Sequence, residues 1–412
     1  MARSPFTLAA AVAAALPSAV ATGVRTLTSA GDGRFDSAVV SLASGEEVSI
    51  RVANDDVAAQ ELAAEAIALR ALTPGARTLL PFLAPAYLGA TMVDDARALV
   101  TYFMPGYQVD AGDVPAGPGL APAMGQALAA LHALPAHVIH DSGLPVRSAV
   151  ESREELRAIV DRAAATGRVP ARLIVRWRSA AEDDELWRFE SRVNLGGAQA
   201  TSFIISDDVE GTPTVGAMIS WHSLCIADPA ADLAWLSRAP QAGADVFQAY
   251  QAASPRGSDP AILLRARLRA ELEFARWLLH GQDLHREDIL EEATELLDAL
   301  AESIREDDLA FISERDDDYA EAVESAFGAA RRIPTSELLR ADTSMQTDNY
   351  SSESLWIPIE SPGDNSEPDP DVADTVAETA QSPESISGED PESEAERAAR
   401  AALQRWRKLS SE

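Results

Sequence analysis

The sequence predicts an α+β chain in two lobes, a small antiparallel sheet carrying one helix followed by a larger, mainly helical lobe. Three observations predict this. Alternating apolar runs separated by glycine-containing turns fill residues 24–53 and return at 86–103, with one helical stretch between them. After a Gly/Pro-rich passage at 106–123 the apolar spacing becomes helical, and apart from short strand-like pieces it stays so to about residue 330. The 412 residues leave room for two folded units at roughly 100–200 residues each. The expected division is an N-lobe over 1–104, a helical C-lobe over 105–333, a disordered acidic linker over 334–392 and a short terminal helix over 393–412.

The elements follow in order. Residues 1–22 carry two readings. Arg3 followed by an Ala/Val-rich run resembles a signal peptide, but alanine contributes little apolar area and Pro17 interrupts the run. The favoured reading is a helix started by Ser4-Pro5, packed through Phe6, Leu8 and Val12 and ended by Pro17. Val24–Thr28, Ser37–Leu42 and Val48–Val52 are strands, with Gly31 and Gly33 in the first turn and Ser44-Gly45 in the second. Residues 56–72 form a helix with Val57, Leu62, Ile67 and Leu69 expected on one side and Glu61 and Glu65 near the other. Ala86–Leu88 and Ala98–Phe103 complete the sheet, which makes it antiparallel and the lobe α+β. In the second lobe, helices are expected at Leu120–Leu134, Glu151–Ala165, Pro170–Glu182, Pro229–Ser237, Gly243–Ala252, Pro260–His280, His285–Arg305 and Asp308–Ala330. Short strands are expected at Phe189–Val193, Ser202–Ile205 and Val215–Ile219.

Near Ile333-Pro334 the character changes. Residues 341–392 hold 14 acids and no Lys or Arg, too little apolar surface to offset the entropy of ordering. Trp356-Ile357-Pro358-Ile359 is the one apolar island. Ser393-Glu-Ala-Glu396 then opens a helix with a capping-box pattern, and Leu403 and Trp406 make it either a partner-docking motif or a solvated tail.

Charge and composition exclude several functions. With 34 Lys+Arg against 66 Asp+Glu the net charge is −32, so there is no cation excess with which to bind nucleic acid through its phosphates. Lys408 is the only lysine, which removes Schiff-base and P-loop chemistry from residues 1–407. The single Cys225 excludes an intrachain disulfide and a cysteine-based zinc site. No run reaches the ~20 strongly apolar residues of a membrane span, and a cytoplasmic protein is expected.

Two motifs carry a family resemblance. Gly125-Gln-Ala-Leu-Ala-Ala-Leu-His132-Ala-Leu resembles the G-x-x-L-A-x-L-H-x-L helix of the aminoglycoside and macrolide phosphotransferases, and Asp228-Pro-Ala-Ala-Asp232-Leu-Ala resembles their D-P-A-x-D-L-A segment. The strand ending Ile50-Arg51-Val52, the hinge-like Thr101–Gly106 and the order of elements agree over about residues 20–300. The resemblance implies a bilobal protein-kinase-like fold, ATP or GTP with Mg²⁺ as cofactors, and a small-molecule hydroxyl as acceptor. Such catalysis is mainly positioning and charge neutralisation.

The family's active positions read H-G-D-x-x-x-x-N and then I-D-W. Here they read Leu195-Gly196-Gly197-Ala-Gln-Ala-Thr-Ser202 and Ile219-Ser220-Trp221. The frame is kept, while the His is Leu195, the catalytic Asp is Gly197, and the metal-binding Asn and Asp are Ser202 and Ser220. Gly197 offers no base, and neutral hydroxyls are poor ligands for a hard dication. Losing a positioned base alone typically costs about 10²–10⁴ in rate. Asp207 and Asp208 are expected at the far end of a hairpin, and Asn194 one register away from Leu195, so neither replaces the missing groups. By resemblance Arg51 stands where a cation pairs with the nucleotide phosphates, braced by Glu61 or Glu65. Gly31 and Gly33 are either a phosphate loop or only a turn. His132, Asp228 and Asp232 are structural by the same resemblance, Asp232 bracing the catalytic loop, and Trp187, Trp221 and Trp235 are expected in the core. Three functions stand: the preferred one, a pseudoenzyme that keeps the fold as a binding module for a small molecule or a protein partner, needing no cofactor; an active kinase of antibiotic-like or metabolite hydroxyls; and an interaction protein whose tail docks a partner through Trp356-Ile-Pro-Ile or Leu403–Trp406.

Overall fold

A computed structural model describes residues 2–27, 33–140, 142–209, 211–255, 259–304 and 356–358. The expected helix at 308–330, the linker apart from 356–358, and the terminal helix lie outside the described residues, as does Gly31.

The chain opens with α1 (Pro5–Ala15), capped by the Ser4 hydroxyl accepting from the Thr7 amide and started by Pro5. Strands β1 (Ala21–Thr26), β2 (Phe35–Leu42) and β3 (Glu47–Ala53) precede α2 (Asp56–Ala71), the single turn α3 (Pro74–Arg77), and β4 (Tyr87–Val93) and β5 (Ala96–Tyr102). All pair antiparallel, in the order β1-β2-β3-β5-β4. Period-two alternation gives the sheet two different faces. Val48, Ile50 and Val52 of β3 join Ala38, Val40, Ala98 and Val100 beneath α1, whose Leu8 and Val12 complete that core. The opposite face carries Phe35, Ala53 and Leu99 against Ala58 and Leu62 of α2. Beside them on that face the register aligns Ser37, Arg51 and Leu99, and next to these Val39, Ser49 and Thr101. The Ser49 and Thr101 hydroxyls bond each other at 2.9 Å.

The packed stripe of α2 is Ala58, Leu62, Glu65 and Leu69, while Val57 and Ile67 are exposed. This corrects the expected face. Ala58 and Leu62 pack on the sheet, while Ala68, Leu69 and Ala71, also buried, turn into the core of the second lobe, which leaves Val57 and Ile67 outside both.

From the hinge the chain enters α4 (Leu120–His132), the single turn α5 (His137–His140), α6 (Ala149–Ala165) and α7 (Ala171–Glu182). Short strands follow: β6 (Arg192–Asn194), β7 (Phe203–Asp207), β8 (Pro213–Met218) and β9 (Cys225–Ala227), β6 pairing with β9 and β7 with β8. The expected strand at 189–193 forms only from Arg192. Pro229–Arg238 is a 3₁₀ helix rather than an α-helix, and α8 (Gly243–Ala253), α9 (Ile262–Asp283) and α10 (Glu287–Ser303) close the lobe. The lobe has one core around α4, α8 and the short strands and a second around α6, α7, α9 and α10. Trp221 and Trp235 lie in the first and Trp187 in the second. No helix among the described residues is long and apolar enough to cross a membrane. A last strand, β10 (Trp356–Pro358), pairs antiparallel with β1, so the apolar island of the tail has a place in the sheet.

Two features fix the frame around the site. Gly125 of α4 faces α8 at close range: a β-carbon built there meets the Val246 carbonyl oxygen inside van der Waals distance and lies 2.8 Å from the Tyr250 amide. Both are backbone atoms, which cannot swing aside. Gly125→Ala is therefore expected to cost about 1–3 kcal/mol or more in a urea titration, despite alanine's better helix propensity. The second feature is Asp228, fully buried. It accepts from Arg265 at 3.1–3.2 Å, from Arg269 Nε at 3.2 Å and from the Ala230 amide at 3.0 Å. Arg265 also reaches Asp259 at 2.6 Å and lies 4.2 Å from the centre of the Phe189 ring. Burial pushes the Asp228 carboxyl up, and the two guanidinium charges outweigh it and hold it below its ordinary value. A depressed folded value means that this contribution is present above the unfolded carboxyl pKa of about 3.9 and is lost as pH falls through the folded one. Asp228→Asn should therefore lower stability at neutral pH and flatten the acid limb of a pH–stability curve.

Candidate active site

The loop between β6 and β7 holds the positions that in the resembling family would do the chemistry. Its shape is imposed by Asp232, which is fully buried in the 3₁₀ helix Pro229–Arg238. Asp232 Oδ2 accepts from the Leu195 amide at 2.7 Å, and Oδ1 accepts from the amides of Gly197 at 2.8 Å and Ala198 at 2.9 Å. His132 Nε2 stands 3.3 Å from Oδ2, and its Nδ1 stands 3.0 Å from the Tyr250 hydroxyl. A carboxylate only accepts, so the fitting tautomer carries the proton on Nε2 and takes the Tyr250 hydroxyl at Nδ1. Two of the three residues that resemblance marks as structural, His132 and Asp232, thus meet in one buried network, and it grips the loop from behind.

Gly197 sits at φ +134, and a β-carbon built on it meets nothing within 4 Å. The position has room for a side chain but a backbone that L-residues rarely adopt. Ser202, buried, accepts from the Gln199 amide at 3.0 Å through its hydroxyl, closing the loop on itself. The Ile219 amide donates to the Ser202 carbonyl at 2.9 Å, which brings the Ser220 strand end against this loop. Ser220 adopts φ 67, ψ 48, a left-handed conformation that asparagine and aspartate tolerate better than serine. Leu195 is buried in the main core. Asn194 is used structurally, its Oδ1 accepting from the Gly196 amide at 2.8 Å and from Cys225 Sγ at 3.3 Å. Asp207 ends β7 at the far tip of its hairpin, away from the loop.

The other candidate residues lie in the small lobe, on the sheet face that carries α2. Arg51 forms an ion pair with Glu65, and its guanidinium lies 5.4 Å from the centre of the Phe35 ring. Of the two acids expected to brace it, Glu65 does so, and Glu61 pairs with Arg34 at 2.7 Å. Gly33 lies exposed in the β1–β2 turn at φ +74, its carbonyl accepting from Asn54 Nδ2 at 2.6 Å.

Two residues near the site were not foreseen. His222 follows Trp221 in a short 3₁₀ turn packed against α2. Burial pushes its pKa down, while Glu65 and Glu61 oppose that. Arg238, at the end of the 3₁₀ helix, donates to the Gln199 side chain. The sequence signal for His222 is its place directly after the I-x-W frame.

The profile of the phosphotransferase enzyme family matches residues 28–261, more than half of the chain. The chain belongs to that family. Among solved structures it is similar to the macrolide 2'-phosphotransferase MphH from Brachybacterium faecium, at 21% identity and TM-score 0.54, over 66% of this chain and 90% of that one. It is similar to a macrolide 2'-phosphotransferase type I at 22% identity and TM-score 0.55, over 71% of this chain and 96% of that one. A third is the GDP complex of aminoglycoside 2'-phosphotransferase-IIIa, at 18% identity and TM-score 0.58, over 72% of this chain and 98% of that one. These likenesses establish the fold, the bilobal kinase-like architecture expected from the sequence. No curated protein sequence matches the chain.

Within this phosphotransferase frame the donor set does not suit Mg²⁺. Among the described residues no three His, Cys, Asp or Glu side chains group into a metal site. Ser202 already spends its hydroxyl oxygen on the loop, and hydroxyls replace the carboxylate and amide oxygens that a hard dication prefers.

Proposed function

We propose that this family member is a binding module that has lost phosphoryl transfer. One observation carries the reading: the loop and strand end keep the family's spacing, yet the residues at its active positions are Gly197, Ser202 and Ser220. No side chain there accepts the acceptor's proton, and no carboxylate neutralises a metal–phosphate pair. What the cleft still offers an anion is charge from the sheet, Arg51 held by Glu65, with the polar Ser37, Ser49 and Thr101 on the same face. The ligand class we assign is a purine nucleotide bound through its base, ribose and phosphates without Mg²⁺. The GDP complex among the similar folds supports the choice of probe.

The test is thermal unfolding with ATP or GTP, in Mg²⁺ and in EDTA, together with an assay for phosphate transfer to hydroxyl acceptors. The expected result is a nucleotide shift that EDTA leaves unchanged, that Arg51→Ala abolishes, and that brings no turnover. A shift that requires Mg²⁺, accompanied by transfer to any acceptor, would show an active small-molecule kinase and end the proposal.

A further inference from the structure

We propose that the outer edge of β1 is a strand-docking site and that its resident occupant is the chain's own segment Trp356–Pro358, which ties the acidic tail to the sheet. Nothing in this depends on the nucleotide reading.

The backbone parity of β1 carries the inference. The Leu27 amide donates to the Ser37 carbonyl at 3.2 Å, so Leu27 faces β2. Because N–H and C=O of one strand residue point the same way and alternate along the chain, Arg25 and Gly23 also face β2, and Val24 faces outward. Without another strand, Val24 would present an unpaired amide and carbonyl at the open sheet edge; with the segment in place Val24 is fully buried. The observed register pairs Gly23 with Pro358, Val24 with Ile357 and Arg25 with Trp356. Ile357 therefore exchanges both backbone bonds with Val24.

The same parity turns the backbone of Pro358 away from β1. Its missing N–H falls on the open side, where no donor is needed. A one-residue slip would place the proline opposite Val24 and lose the bond. Proline is tolerated on edge strands at such positions, and there it also stops further strand addition. Main-chain bonds of this kind are how extended peptides are captured by sheet edges. The reach is ample, since residues 305–355 span roughly 170 Å if fully extended.

The test is amide hydrogen exchange on the full-length chain, read at Val24. Ile357→Pro removes the N–H that bonds the Val24 carbonyl and, by unseating the strand, releases the Ile357 carbonyl that accepts from the Val24 amide, while leaving the residues of both lobes untouched. The Val24 amide should then exchange about tenfold faster or more, the factor that one lost hydrogen bond of ordinary net strength implies. Val40 and Ile50, in the interior strands, should keep their rates. Thr375→Pro, a proline placed elsewhere in the tail, should leave Val24 unchanged. Equal Val24 rates in the native chain and Ile357→Pro would overturn the proposal. So would protection that rises with protein concentration, because the strand would then come from a second copy.

Discussion

Asp232→Ala is expected to destabilise the chain by about 3–5 kcal/mol, the cost of leaving buried polar partners uncompensated. Three loop amides, those of Leu195, Gly197 and Ala198, end on this one carboxylate, and no other acceptor is bonded to them. The backbone of the loop would also lose the restraint that holds Gly197 at positive φ. His132→Ala should cost less, because Asp232 keeps its three amides and loses only the imidazole. Urea unfolding of the two variants, compared with the native chain, checks both the size and the order. If the two substitutions cost the same, the carboxylate is not the centre of the network.

Restoring the metal ligands is the second large effect. Ser220→Asp combined with Ser202→Asn should give the chain a Mg²⁺-dependent nucleotide response, which the proposed function denies to the native protein. Ser220 already has the left-handed backbone that aspartate tolerates, so the new carboxylate enters without added strain. At a nucleotide concentration of 100 times Kd such binding adds about 2.7 kcal/mol of apparent stability, which thermal unfolding resolves easily. Gly197→Asp is different. Its φ of +134 is hostile to any L side chain, so the substitution should cost about 1–3 kcal/mol unless the loop rearranges. The double variant is thus expected to bind Mg²⁺-nucleotide without transferring phosphate. A double variant as indifferent to Mg²⁺ as the native chain would mean that the site departs from the family frame by more than its side chains.

The small lobe was readable because its strands alternate strictly. Alternation alone puts Arg51 on the opposite face from Val48, Ile50 and Val52, and so toward α2. Glu65 was legible as a partner for Arg51 but not in its place: it was expected near the side opposite Leu62 and Leu69, and it is buried beside them. Val57 and Ile67 misled because helical periodicity says which residues share a side, not how wide the partner surface is. The 3₁₀ form of Pro229–Arg238 was hidden for a related reason: Asp232 must reach three amides of a separate loop, and local propensity carries no trace of that demand. His222 and Arg238 were missed because their neighbours come from α2 and the β6–β7 loop, far away in sequence. The place of Trp356–Pro358 on β1 depends on strand parity, which only hydrogen-bond direction reveals.

The central claim is that this cleft has no side-chain oxygens suited to a divalent cation. The most direct measurement is a crystal of the native chain grown with a non-hydrolysable ATP analogue and Mn²⁺, with anomalous scattering recorded at the manganese edge. The account predicts no anomalous peak within coordination distance of Ser202 or Ser220. A manganese ion bound there by protein oxygens would contradict it.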